Sequence, residues 1–87
     1  MDVKEAVKAA TDYLQDLYPD APAGSVRLEE VESGPEAWLV TLSFLYKADN
    51  AFEGLATGGL RRHYKVFTVD DDSRKVLAMK IRQLEGA

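Results

Sequence analysis

Apolar residues recur at steps of three and four along the first part of the chain, as they do on one face of an α-helix. Asp2 stands where it can cap such a helix, and Glu5 follows three positions later as the reciprocal partner of a capping box. Pro19 cannot extend the helix, because it lacks a backbone N–H. We therefore expect a helix over about residues 3–18. Its apolar stripe consists of Val3, Ala6, Val7, Ala10, Leu14 and Leu17.

After residue 24 the helical spacing gives way to alternation, which is typical of β-strands with one buried face. The alternation is clearest in the second of the strands that it predicts, where every second side chain is bulky and is expected to face the core. The predicted strands cover about residues 25–32, 37–46, 61–70 and 75–83. The bulky set of the second strand is Trp38, Val40, Leu42, Phe44 and Tyr46.

The third and fourth predicted strands are less regular. In the third, Tyr64 and Val66 share one side whereas Phe67 lies on the other, which indicates a bulge near Val66 or burial of both faces. In the fourth, the alternation predicts one inward-facing set of apolar residues. That set is Leu77, Met79 and Ile81.

The segment between the last two strands predicts a β-hairpin turn. Asp70 and Ser73 have side chains that bond nearby backbone amides, which stabilises tight turns. Strands that follow each other closely in sequence usually pair in antiparallel fashion, and a single helix can cover one face of such a sheet. We therefore predict one α+β domain over residues 1–87, with an N-terminal helix packed on a four-stranded antiparallel sheet, in the order α-β-β-β-β and in two layers.

The connection over residues 47–60 is long for a link between paired strands, and long connections often carry function. Phe52 and Leu55 are isolated apolar residues within it, and they predict either contact with a partner or a plug at the open end of the sheet. Arg61 and Arg62 follow directly and are candidates for orienting that partner. These four residues form the predicted partner-binding site.

Composition and charge exclude several classes of function. The net charge of −4 and the pI near 4.9 argue against nucleic-acid binding. The absence of cysteine excludes disulfides, cysteine-bound zinc and thiol nucleophiles. No apolar run reaches the roughly 18 residues of a membrane span, so we expect no membrane contact. The charged N-terminus lacks an apolar leader, which predicts a cytoplasmic protein, or an exported one whose leader has been removed.

Candidate reactive groups are few. His63 is the single histidine, has no nucleophile motif near it, and is expected to be a surface strand residue. The basic run over residues 61–65 could bind an acidic partner, a phosphate or RNA, or it could protect an exposed strand from association. Asp70, Asp71 and Asp72 lack the spacing of a calcium loop. We therefore predict no catalytic residue, no metal, no cofactor and no enzyme activity.

The element order and the C-terminal hairpin resemble the PepSY family of small helix-and-sheet domains, and the wider shape is similar to cystatin-like folds. The family usually has glycine where this chain has Arg74, and a left-handed residue of another type costs about 1 kcal/mol, so we expect a different turn here. The resemblance implies a role as an inhibitor of peptidases. The residues that carry the resemblance are Val69, Asp70, Ser73, Val76 and Leu77, with Ala6, Ala9 and Ala10 in the opening helix.

The function that these features favour is a non-enzymatic protein-binding or regulatory module, acting as a monomer or homodimer. Two alternatives remain. The first is a small-ligand-binding domain with a cavity between helix and sheet, lined by Tyr13, Trp38 and Phe44. The second is a structural domain that associates with itself through its exposed strands.

Overall fold

The computed structural model describes residues 1–48 and 59–82. They form one helix followed by a four-stranded antiparallel sheet with strand order β1-β2-β3-β4, and the helix packs on one face of the sheet. This confirms the predicted two-layer α+β architecture and its element order. The elements are α1 (Val3–Leu17), a short 3₁₀ turn (Ala23–Ser25), β1 (Arg27–Ser33), β2 (Ala37–Lys47), β3 (Leu60–Asp70) and β4 (Val76–Ile81).

The first turn of α1 is capped as predicted, but its capping box forms only in part. The Asp2 carboxylate accepts a hydrogen bond of 2.9 Å from the backbone N–H of Glu5. The Glu5 carboxylate is directed elsewhere, because its Oε2 lies 2.7 Å from Nη2 of Arg74 in the turn before β4. The helix ends at Leu17, ahead of Pro19. The side chain of Glu5, in the first turn of the helix, therefore contacts the C-terminal hairpin.

The core lies between α1 and the two central strands. The small alanines of α1 let the helix approach the sheet closely, and Phe67 meets Tyr13 edge-to-face with ring centroids 6.2 Å apart. Burying one large apolar side chain stabilises the fold by about 1.5–3 kcal/mol, so β2 and β3 carry most of the stabilisation. The fully buried apolar residues are Ala6, Ala10, Leu14, Val40, Leu42, Phe44, Phe67 and Val69.

Of the two explanations for the irregular alternation of β3, the bulge near Val66 does not occur. The β2–β3 pairing runs without interruption from Ala37 opposite Asp70 to Lys47 opposite Leu60. Phe67 faces the helix together with Lys65, whereas Val66 faces the other side of the sheet and is half-buried there. The sequence pattern is irregular because the face that the helix leaves uncovered also bears apolar residues.

The predicted inward facing in β4 is correct for Met79 and Ile81 and wrong for Leu77. The β3–β4 register shifts between Thr68 and Val69, so Val76 pairs with Val69 and Leu77 becomes the extra residue. Leu77 is 62% exposed as a result. Ile81 lies on the same side as Met79, but it is 73% exposed.

The turn between β3 and β4 forms as the acidic run predicts. The Asp70 carboxylate accepts a 2.7 Å hydrogen bond from the backbone N–H of Ser73, and the two hydrogen bonds from Ser73 hold the pKa of Asp70 below its ordinary value. Arg74 adopts a left-handed conformation with φ of +63°, a region that favours glycine. Trp38 reinforces the turn, because its Nε1 donates a hydrogen bond of 2.9 Å to Asp71.

Candidate partner-binding surface

The predicted partner-binding residues fall into two groups. Phe52 and Leu55 lie outside the described residues, as does most of the 47–60 connection. At the two ends of that connection, the backbone N–H of Ala48 donates to the carbonyl of Gly59 at 3.1 Å. Arg61 and Arg62 lie in β3, where their positions can be compared directly.

Arg61 and Arg62 point to opposite faces of the sheet. Arg61 pairs with Tyr46 on the side of the helix, and Arg62 pairs with Leu45 on the other side. They therefore cannot orient one partner on one surface. The guanidinium of Arg62 donates to the carbonyl of Ser25 and to Oγ of Ser43, each at 2.9 Å. β3 lies between β2 and β4, but the described part of β4 pairs only with residues 65–69 of β3, so the interpretation of residues 61–65 as protection of a strand edge stays a prediction.

His63 is half-buried, not at the surface as predicted. Its ring stacks on Phe44 with centroids 5.9 Å apart, and its Nε2 lies 2.9 Å from the backbone carbonyl of Lys47. Tyr18 and Tyr46 complete this aromatic cluster at the end of the sheet. Within residues 1–48 and 59–82, no group of three or more histidine, cysteine or acidic side chains is placed to hold a metal ion. These contacts give His63 a packing role.

The sheet face opposite α1, which we term the open face, is covered at its centre by the chain's own arginines. Ser43 is fully buried there, because it donates to the Glu29 carboxylate and accepts from the guanidinium of Arg62. Thr41 is buried beside it and accepts a 3.2 Å hydrogen bond from Arg82. Long arginine side chains lying along a sheet shield it from water while keeping their charge hydrated.

Arg82 also joins the two outer strands of the sheet. It follows β4, yet its Nη2 reaches Glu30 of β1 at 3.0 Å. A side-chain hydrogen bond with Glu32, followed by the hydrogen bond and charge of Arg82, lowers the pKa of Glu30 below its ordinary value. The polar groups at the centre of the open face are thus already paired with one another, which leaves little for a partner to bind there.

Two shallow grooves flank α1. One has a volume of about 420 Å³ and runs past Tyr13 and Arg74. The other, of about 400 Å³, is lined by the apolar residues Val3, Val7 and Leu28 and by Lys4, Lys8, Thr11 and Asp12. Neither groove contains Trp38 or Phe44, which the ligand-binding alternative placed together with Tyr13. Phe44 is 1% exposed and belongs to the core.

The outer side of β4, which we term the β4 edge, carries the two most exposed large apolar side chains of the described chain, those of Ile81 and Leu77. β4 pairs with β3 on one side only and ends the sheet. In antiparallel strands, residues that bond to the partner alternate with residues that do not. The N–H of Arg82 donates to the carbonyl of Tyr64 at 3.0 Å, so Ile81 and Met79 direct their backbone groups away from β3.

Comparison of the chain with family models, with curated proteins and with solved structures gives no match. The resemblance to the PepSY family therefore stays a prediction. The β4 edge was missed from the sequence, although a signal exists. Residues 74–82 combine alternating apolar side chains with four basic residues and no acidic one, in a chain whose net charge is −4.

Proposed function

We propose that this chain is a non-enzymatic protein-binding module that adds an extended segment of its partner to the β4 edge. The observation that carries this proposal is the exposure of Leu77 (62%) and Ile81 (73%) on a strand that ends the sheet. Proteins normally cover, shorten or charge such an edge, because unpaired strands with apolar side chains associate readily. An apolar edge that persists is therefore a candidate for strand addition.

Strand addition draws on two kinds of interaction, and the β4 edge offers both. The outward N–H and C=O groups of Met79 and Ile81 can bond to an added strand, at about 0.5–1.5 kcal/mol net for each hydrogen bond. The exposed side chains of Leu77 and Ile81 can then be buried by the partner. Backbone pairing supplies affinity, and the side chains supply specificity.

The contacts made by His63 and Ser43 support a binding role. His63 contacts aromatic rings and a backbone carbonyl, and Ser43 is fully buried beneath Arg62. Neither is placed to act on a bound substrate. If the PepSY resemblance holds, the partner of this module is a peptidase.

A library of random decapeptides displayed on phage provides the test. Peptides selected on the folded chain are expected to shift the NMR signals of the Met79 and Ile81 amides and to slow their hydrogen exchange. Ile81→Pro removes an outward N–H and should weaken binding by at least about tenfold while leaving the fold intact. Ile81→Thr, which keeps that N–H and the branched shape, is the matched control and should lose much less.

Two outcomes would overturn the proposal. The first is selection of peptides whose binding shifts only residues of α1 or β1. The second is equal binding by the Ile81→Pro and Ile81→Thr variants, since the backbone of β4 would then take no part. Circular dichroism of each variant confirms that it is folded before binding is compared.

We propose small-ligand binding as a second candidate, because the groove beside Val3, Val7 and Leu28 is almost entirely apolar at its surface. Titration with the apolar dye 8-anilinonaphthalene-1-sulfonate is expected to shift the Val7 and Leu28 amide signals if this groove binds ligands. Val7→Asp should abolish the shifts. Unchanged spectra would leave the β4 edge as the better-supported site.

A further inference from the structure

We infer that the segment added to β4 carries an acidic residue between two apolar residues, with the acidic side chain opposite Lys80. This inference rests on the proposed function and adds the chemistry of the partner. It follows from the faces of β4, from the charges along it and from the way in which neighbouring strands align their side chains.

The side chains of β4 present different chemistry on its two faces. Met79 pairs with Phe67 and Ile81 with Lys65, so both lie on the helix side of the sheet. Lys80 pairs with Val66 and lies on the open face between them. Residues directly opposite in neighbouring strands lie on the same face, with Cβ atoms about 4.5–5.5 Å apart. A strand added to β4 therefore meets apolar, basic and apolar side chains in turn.

The positive charge of residues 74–82 is only partly balanced within the chain. Arg74 is paired with Glu5 at 2.7 Å, and Arg82 is paired with Glu30 at 3.0 Å. Lys75 and Lys80 are exposed, and the structure shows no ion pair for either within residues 1–48 and 59–82. A carboxylate on the added strand would supply the missing partner for Lys80, and cross-strand pairs of opposite charge stabilise sheets.

The same charges disfavour a second copy of β4 as the occupant. Antiparallel pairing of two β4 strands centred on Met79 would place Lys80 of each copy opposite Ala78 of the other. It would also bring two sets of four basic residues, from residues 74–82, together along one seam. Lysines on exposed strands prevent self-pairing in this way. An acidic extended segment fits the β4 edge better than a second copy does.

Three synthetic peptides test the inference directly. They share identical polar flanks and differ only at their centre, which reads Ile-Glu-Ile, Ile-Gln-Ile or Ile-Lys-Ile. Fluorescence anisotropy at low salt should show the Glu peptide binding about fivefold more tightly than the Gln peptide, with the Lys peptide weakest. Lys80→Glu should reverse the order. Lys4→Glu, a matched change on the side of α1 that lines the groove with Leu28 of β1, should leave the order unchanged.

The outcomes separate this inference from the proposed function. Equal binding of all three peptides, with shifts at Met79 and Ile81, would overturn the acidic preference and leave strand addition standing. Absence of binding by all three, together with failure of the decapeptide selection, would overturn both. Sedimentation showing concentration-dependent association that Lys80→Glu abolishes would assign the β4 edge to the acidic β1 strand of a second copy, and would overturn the inference of a separate partner.

Discussion

The two outer strands of the sheet, β1 and β4, differ in the charged and apolar side chains that they expose to solvent. β1 presents the carboxylates of Glu29, Glu30 and Glu32, and its register shifts between Leu28 and Glu30. β4 also contains a register shift, at Leu77, but it has no acidic residue, and its last four residues pair regularly with β3. Both edges expose a large apolar side chain, yet Leu28 is 49% exposed whereas Ile81 is 73% exposed.

This difference shows that the two edges of one sheet can carry opposite charges that are held in different ways. Two of the β1 carboxylates are anchored from elsewhere in the sheet, Glu29 through Ser43 and Glu30 by Arg82. Charges held in this way discourage pairing with another strand. At β4 the lysines extend into solvent and the backbone groups of Met79 and Ile81 remain available. The edge whose lysines are unpaired within the described residues, and whose backbone groups point outward, is therefore the one we expect to bind an acidic partner.

The largest expected effect concerns the central strands on which both edges depend. Phe67→Ala should lower the free energy of unfolding by about 3–5 kcal/mol, because a large cavity forms beneath α1. Urea unfolding followed by fluorescence of Trp38, the single tryptophan, measures this change. Leu39→Ala, at a position 41% exposed on the open face, is the control and should cost less than about 1 kcal/mol. Loss of exchange protection in β4 but not in β1 would contradict a shared core.

The second-largest expected effect distinguishes residues of β4 whose backbone groups point toward β3 from residues whose backbone groups point away from it. The N–H of Arg82 bonds to β3, and bonding residues alternate along the strand, so the backbone groups of Lys80 point toward Val66. Lys80→Pro should therefore leave the carbonyl of Val66 unpaired and lower the free energy of unfolding by about 1–3 kcal/mol. Ile81→Pro should cost less than about 1 kcal/mol, since its N–H has no partner in β3. Lys80→Ala controls for loss of the lysine side chain. Thermal unfolding compares the variants, and equal costs would show that Ile81 is not at a free edge.

A smaller effect is expected at the turn that leads into β4. Arg74 has a φ of +63°, where glycine is favoured over other residues by about 1 kcal/mol. Arg74→Gly should therefore be more stable than Arg74→Ala by about that amount, although both lose the contact with Glu5. Urea unfolding provides the measurement. If the two variants were equally stable, the left-handed conformation would not persist in solution.

The smallest effect tests the link between the two edges. The pKa of Glu30 is lowered from its ordinary value of 4.5 by Glu32 and by Arg82, so the carboxylate favours the folded state. That stabilisation is present above the ordinary pKa and is lost as the pH falls through the lowered one. Arg82→Gln should therefore reduce the loss of stability on acidification, as measured by thermal unfolding between about pH 7 and pH 3. An unchanged profile would show that Arg82 does not hold Glu30 in solution.

Local signals explain what could be predicted from the sequence. The spacing of apolar residues determined α1, and the alternation around Trp38 determined β2, because each pattern repeats within a few residues. The turn at Asp70 was predictable since its carboxylate bonds an amide only three residues away. Which side chains of β3 and β4 face the helix was not predictable. The open face is partly apolar, and the register shift at Leu77 depends on how β4 pairs with β3.

The sequence by itself determined the order of the elements, their antiparallel pairing and the two-layer architecture, since periodicity and short links act between near neighbours. Only the tertiary structure decided that Arg61 and Arg62 face opposite ways, that His63 is half-buried, and that Arg82 reaches Glu30 across the sheet. Those features join residues far apart in the chain. Strand order and twist set such contacts, and no local pattern of hydrophobic and polar residues encodes them.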